Sequence, residues 1–159
     1  EDLLEAAGAR VEMTRTSNSR DAWGPCVWDR AKKANDLGAD AMVSIHADGA
    51  SSGSRGFFAM TPTLIKGWTD DVVKVDRRLA LAMIAGMKSA GAPPSNYIGN
   101  QLMLSRDTTS LNMSNVPTVT VEVGNMRNAQ DAALMTSSSG QRTYAQWLLA
   151  GIERFFARS

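Results

Sequence analysis

The sequence carries one cysteine and one histidine in 159 residues. A lone Cys26 excludes an internal disulfide; it is either a free thiol or half of a bridge whose other half lies outside this chain. A lone His46 excludes a metal centre built from several imidazoles of this chain, and carboxylates suit zinc poorly without more nitrogen or sulfur ligands. Charge of one sign is also missing. With 17 Lys and Arg against 16 Asp and Glu, the net charge is +1, which argues against a broad polyanion-binding surface and against nucleic acid as the main partner. No apolar run approaches the roughly 18 residues of a membrane span. No G-x-G-x-x-G or P-loop pattern follows any predicted strand, which counts against a nucleotide-binding domain. No repeat, low-complexity tract or linker divides the chain, so residues 1–159 read as a single domain.

What is present is ordinary globular material, 43% hydrophobic and 21% charged. The opening Glu1-Asp2-Leu3-Leu4-Glu5-Ala6-Ala7-Gly8 reads as the last turns of a helix stopped by Gly8. It has no initiator Met, signal peptide or N-cap, and the expectation is that a segment precedes it. Helices and strands then alternate. Ala9 to Thr14 reads as a short strand. Trp28 to Leu37 reads as a helix with Ala31, Ala34 and Leu37 inward, ended by Gly38. Ala41 to His46 reads as a mostly apolar strand, of the kind covered on both faces in a parallel sheet. Gly56 to Met60 is a further strand. Thr69 to Ala90 is a long helix burying Val72, Val75, Leu79, Met83 and Met87, stopped by Gly91 and kept stopped by Pro93-Pro94. Thr118 to Val123 is a β-branched central strand. Ser139-Gly140-Gln141 leads into a last helix with Tyr144, Trp147, Leu148, Gly151, Ile152 and Phe155 on one face. The pattern predicts an α/β fold, a twisted, mostly parallel mixed sheet flanked by helices on both faces.

Ligands of open α/β sheets bind outside the carboxyl ends of the strands. Two polar residues stand there. His46 closes its strand and precedes the loop Ala47-Asp48-Gly49-Ala50-Ser51-Ser52-Gly53. Glu122 interrupts an otherwise apolar strand, where burial is costly without a partner or a cation. Each has a structural reading: a core histidine bonded to a carbonyl, and an ion pair between Glu122 and Arg106 or Arg127. Together they fit a zinc-type hydrolytic pair, a histidine as metal ligand and a glutamate as general base for water. Asp48, Asn125 and Arg106 (with Asp107) are candidate substrate contacts, and a loop cap, a turn residue and a surface pair are the alternatives. Arg15 and Arg30 read as ties between helix and strand. Trp23 and Trp68 are packing residues or sugar-stacking platforms, and the nine methionines read as core filler.

Val43-Ser44-Ile45-His46-Ala47-Asp48 resembles the SIHAN/SIHAD signature of the zinc-dependent N-acetylmuramoyl-L-alanine amidases of the amidase-3 family. Thr14-Arg15, Arg30 with Ala34-Asn35, Ala39-Asp40 and Val121-Glu122-Val123-Gly124-Asn125 resemble that family's TR, R…AN, AD and VEVGF segments, in the same order. Gly24-Pro25-Cys26 and Gly124 to Asn128 resemble its mycobacterial-type single-domain branch. The resemblance covers nearly the whole chain. It implies a peptidoglycan hydrolase that cleaves the amide between the lactyl group of N-acetylmuramic acid and L-alanine of the stem peptide. It implies one zinc ion with His46 as a ligand, and Glu122 as catalytic acid/base. The family's two other zinc ligands, its first strand and most of its first helix have no counterpart here and are expected upstream, as is the disulfide partner of Cys26. The 159 residues alone are therefore expected to bind zinc weakly and to be inactive. The intact protein is expected to be an exported monomer acting in the periplasm or cell wall. The alternative is a non-catalytic muropeptide- or wall-binding module.

Overall fold

The computed structural model describes residues 1–17 and 24–157. A short helix α1 (Asp2–Ala6) ends before Gly8, as the sequence predicts. Helix α2 (Val27–Leu37) buries Ala31 and Ala34 and stops at Gly38, whose left-handed φ of 58° frees its N–H to cap the last turn. Strand β1 (Met42–Asp48) and strand β2 (Phe58–Pro62) follow, then the long helix α3 (Val73–Ser89). A 3-10 turn at Gly99–Gln101 leads into strand β3 (Leu102–Ser105) and the short helix α4 (Thr109–Asn112). Strand β4 (Thr118–Asn125) precedes helices α5 (Ala129–Thr136) and α6 (Ser138–Phe156).

The four strands form one open sheet in the order β1-β4-β2-β3. β1 and β4 are parallel, as are β2 and β3, but β2 runs antiparallel to β4. The expected mixed, mostly parallel α/β sheet is present. Its direction reverses in the middle, so the carboxyl ends of β1 and β4 lie at one end of the sheet and those of β2 and β3 at the other.

The core lies between the sheet and the pair α3 and α6. Val119, Val121 and Val123 of β4 meet Leu79, Met83 and Met87 of α3 and Leu148 and Phe155 of α6. The alternate residues of β4, including Glu122, face the other way, because side chains of a strand alternate between faces. The two helices touch backbone to backbone. A Cβ on Gly86 would lie 2.3 Å from the Ala150 carbonyl oxygen, and one on Gly151 would lie 2.9 Å from Met83 Cα. Helix α4 touches β2 and β4, and α2 packs on α4.

Two local expectations are corrected. Residues 9–14 are not a strand. They pair with no strand among the described residues, and a strand's N–H and C=O groups need such a partner. Charge holds this segment instead: Arg10 pairs with Glu12, and Lys33 of α2 reaches both Glu12 and the Met13 carbonyl. Strand β1 is apolar as read but is not covered on both faces. It is an edge strand of the described sheet, and Ile45 is 58% exposed.

Candidate active site

The parallel pairing of β1 with β4 sets His46 directly opposite Glu122. Residues paired across a ladder project to the same face, so both side chains emerge together near the carboxyl ends of the two strands. His46 Nδ1 lies 3.9 Å from Glu122 Oε1, too long for a hydrogen bond. The imidazole is about half exposed, whereas the glutamate side chain is only 12% exposed. The core-histidine reading of His46 therefore fails. Glu122 does not pair with Arg106 or Arg127; among the described residues the basic side chain within 4 Å of its carboxylate is His46.

The environment sets the charge of the pair. Burial, and then the nearby Asp48 carboxylate, push the Glu122 carboxyl up to about 7. Partial burial and then the positive charge of Arg30 hold His46 below its ordinary range. Near neutral pH the imidazole is thus uncharged with a free lone pair, and the carboxyl is poised between its two forms. Glu122 Oε2 is buried with no hydrogen-bond partner in the described structure. An orphan acceptor of this kind is unusual and points to a proton, water or cation as its customary companion. An uncharged nitrogen ligand beside a carboxyl that titrates near working pH is equipment for proton transfer.

The rim of the site is the loop that leaves β1. A register irregularity between His46 and Asp48 sets Asp48 opposite Asn125, so β4 spends an extra residue between Glu122 and Asn125. Such bulges re-aim side chains beside functional sites. Here the re-aimed residue is Asn125, fully buried, whose amide donates to the carbonyls of Ser51 and Ser54 at 2.7 Å each and reaches that of Ala50 at 3.4 Å. The Asn128 amide donates to Ser52, and Asn96 both donates to Gly53 and accepts from Arg55 N–H. Behind them the buried Asp131 accepts from the N–H groups of Gly56 and Asn125.

The other predicted residues divide. Asp48 stands two residues beyond His46 on β1. Its Oδ2 accepts a 2.7 Å bond from the Tyr97 hydroxyl and its Oδ1 one from Gly49 N–H. Asn125 is the turn residue of its two readings: its side chain is consumed by the loop and has no surface to offer a substrate. Arg106 and Asp107 are at the wrong end. They follow β3, and the Phe58↔Glu122 and Pro62↔Ser105 pairings set them about 13 Å from Glu122 along the strand direction. Trp68 is 61% exposed beyond the carboxyl end of β2, at that same far end. Trp23 lies outside the described residues. Arg30 donates to the Pro25 carbonyl at the start of its own helix, and Arg15 to the Ser17 carbonyl, so neither bond ties a helix to a strand. Cys26 is exposed at the N-cap of α2.

Sequence reasoning missed Tyr97. Its ring meets Phe58 edge-on with centroids 5.8 Å apart, and Phe58 is the register partner of Glu122. Burial and the bond to Asp48 push the phenol upward, so it remains a donor. Nothing local in Ser95-Asn96-Tyr97-Ile98 signals this; the contact spans 49 residues.

The donor set is short of a zinc centre. Catalytic zinc takes three protein ligands, and among the described residues no group of three His, Cys, Asp or Glu side chains converges on one point. His46 fits as a single ligand and no more.

The family model described as N-acetylmuramoyl-L-alanine amidase matches residues 1–154. The chain is 36% identical to the N-acetylmuramoyl-L-alanine amidase Rv3717 of Mycobacterium tuberculosis, a match covering 97% of this chain and 63% of that protein. Among solved structures, Ami1 of Mycobacterium smegmatis superposes with a TM-score of 0.90 at 36% identity, covering 99% of this chain and 72% of that one. Ami1 of Mycobacterium abscessus superposes with a TM-score of 0.88 at 38% identity, covering 98% and 72%. Both are N-acetylmuramyl-L-alanine amidases. With the family model matching almost from end to end and the fold superposing this closely, the chain belongs to the N-acetylmuramoyl-L-alanine amidase family.

Proposed function

We propose that this chain is the catalytic domain of a peptidoglycan hydrolase that cleaves the amide between the lactyl group of N-acetylmuramic acid and L-alanine, outside the cytoplasm. The observation that carries the reading is the Glu122 carboxyl: mostly buried, titrating near neutrality, unpartnered at Oε2 and level with the His46 imidazole. Ionised Glu122 takes a proton from water as the water oxygen bonds to the amide carbonyl carbon. The same carboxyl then returns the proton to the alanine nitrogen as the C–N bond breaks. His46 would hold the zinc ion that the family generally uses as one ligand, and the ion would supply Lewis acidity there.

Glu122→Gln in the native full-length protein should lower the release of free alanine amine from muramoyl-L-alanyl-D-isoglutamine by about 10²–10⁴-fold. It should leave zinc content unchanged, since Glu122 is not a ligand in this scheme. In the parent, kcat/KM should rise with pH on the acid side as Glu122 ionises, and this limb should be absent in the variant. Undiminished hydrolysis in the Glu122→Gln variant refutes the assignment. The second reading weighed from the sequence is a non-catalytic muropeptide-binding module. Calorimetry showing that zinc-supplemented parent protein binds muropeptide without cleaving it would select that reading.

A further inference from the structure

We propose that Tyr97 is a positioning residue for substrate. Through its hydroxyl it holds the Asp48 carboxylate as a fixed acceptor, beside the His46–Glu122 pair, for an N–H of the stem peptide. The inference rests on the amidase reading of the site and names a recognition element within it. Asp48 lies two residues past His46 on the same strand, so the fold delivers it beside the reacting pair. Its carboxylate is held from two sides, by the Tyr97 hydroxyl on Oδ2 and by Gly49 N–H on Oδ1, both at 2.7 Å. An ionised carboxylate offers about four acceptor positions, so the two bonds fix its plane and leave capacity for a donor arriving from solvent. The backbone beneath is also fixed, since the Asp48 carbonyl accepts from Met126 N–H at 2.8 Å.

Tyr97 is itself well supported. Its ring lies edge-on to Phe58, which is only 3% exposed. The Ser95 hydroxyl accepts from the N–H groups of Tyr97 and Ile98, which fixes the turn that carries the ring. Neighbouring Asn96 is bonded to the same loop that Asp48 opens. The hydroxyl is therefore an aimed donor on a rigid support. The side-chain clasps on residues 51–54 come from Asn96, Asn125 and Asn128 and grip carbonyls, whereas the loop contact of Asp48's side chain is confined to the N–H of Gly49. A charged acceptor fixed beside the reacting pair, with acceptor capacity left over, is placed to meet a ligand.

The test is a double-mutant cycle in the native full-length protein, with muramoyl-L-alanyl-D-isoglutamine as the probe. Tyr97→Phe keeps the ring on Phe58 and removes only the hydroxyl. It should raise KM by roughly 5–30-fold, the weight of a weakened bond to a charged group, with kcat within about twofold because the contact is made equally before and during reaction. Asp48→Ala should raise KM at least as much. The double variant should be no worse than Asp48→Ala alone, because the hydroxyl acts only through the carboxylate. Asp48→Asn, which keeps an oxygen acceptor for Tyr97, should recover part of the loss. Unchanged KM in Tyr97→Phe, or effects that simply add in the double variant, overturn the proposal, and so does a change confined to thermal stability. The cycle is repeated as muropeptide Kd by calorimetry on a Glu122→Gln background, where no turnover is needed. Coupling in Kd supports the Tyr97–Asp48 element even where the hydrolytic reading of Glu122 fails, and its absence there rejects the element independently.

Discussion

Asp76 should make the folded protein lose stability as the pH rises from acid to neutral. It lies in the first turn of α3, is fully buried, and accepts a 2.7 Å bond from Thr118 N–H at the start of β4. Its Oδ2 has no partner in the described structure. Burial pushes the carboxyl from 3.8 to about 7, the Thr118 bond pulling the other way and the charge of Asp71 adding to the rise. The folded state therefore holds this proton more tightly than the unfolded chain does. Its contribution is fully present below pH about 4, is lost progressively up to pH about 7, and stays lost above. A rise of roughly 3 pH units at about 1.4 kcal/mol each sets a ceiling of about 4 kcal/mol on the swing. Asp76→Asn keeps an oxygen to accept from Thr118 and removes the titration, and burying its NH₂ in place of Oδ2 shifts stability by an amount that is the same at every pH. Urea unfolding followed by circular dichroism at pH 5 and pH 8 gives the difference between variant and parent, and other carboxylates cancel in it. That difference should move in the variant's favour by a few kcal/mol between the two pH values. Parallel pH profiles for the two proteins would refute the reasoning.

Two further perturbations test the packing that supports the site. Gly86→Ala would drive a methyl into the backbone of α6, so the overpacking cost exceeds the roughly 1 kcal/mol of helix propensity it gains. Scanning calorimetry should show a melting temperature lowered by about 5 °C or more, and a variant as stable as the parent would mean that the helices do not meet at this crossing. Asn125→Ala strips the donor from the carbonyls of Ser51 and Ser54 and should cost about 2–4 kcal/mol in urea unfolding. Amide exchange should speed up across residues 48–55; unchanged protection there would show that the other clasps suffice.

The central strand was legible because its chemistry is local. A β-branched run broken by one acid reads as a buried strand with a functional defect, and β4 is buried along nearly its whole length apart from Glu122. His46 and Glu122 could be named, and their meeting could be expected, because both stand in the carboxyl-terminal half of a strand and the two strands run in the same direction. The direction of β2 was not legible, since no residue within it records which neighbour it will join. Arg106 was a candidate because it shortly precedes the Glu122 strand in sequence; β3, which carries it to the far end of the sheet, was not read as a strand. The exposed face of β1 is likewise a matter of what lies beside it, not of its own apolar residues. Helix α5 did leave a signal that went unused: Asn128 caps it by accepting from Gln130 and Asp131 N–H, the pattern of a polar residue shortly before an acid. The Tyr97–Asp48 bond left none.

The asparagine clasps on the lip grip main-chain oxygens, and a main-chain oxygen is the same whichever amino acid carries it. The contour of residues 50–54 is consequently insured by side chains that lie elsewhere, in 96, 125 and 128. Substitutions along that stretch can accumulate without moving its path. It is a convenient place for an engineer to graft diversity while His46 and Glu122 stay put.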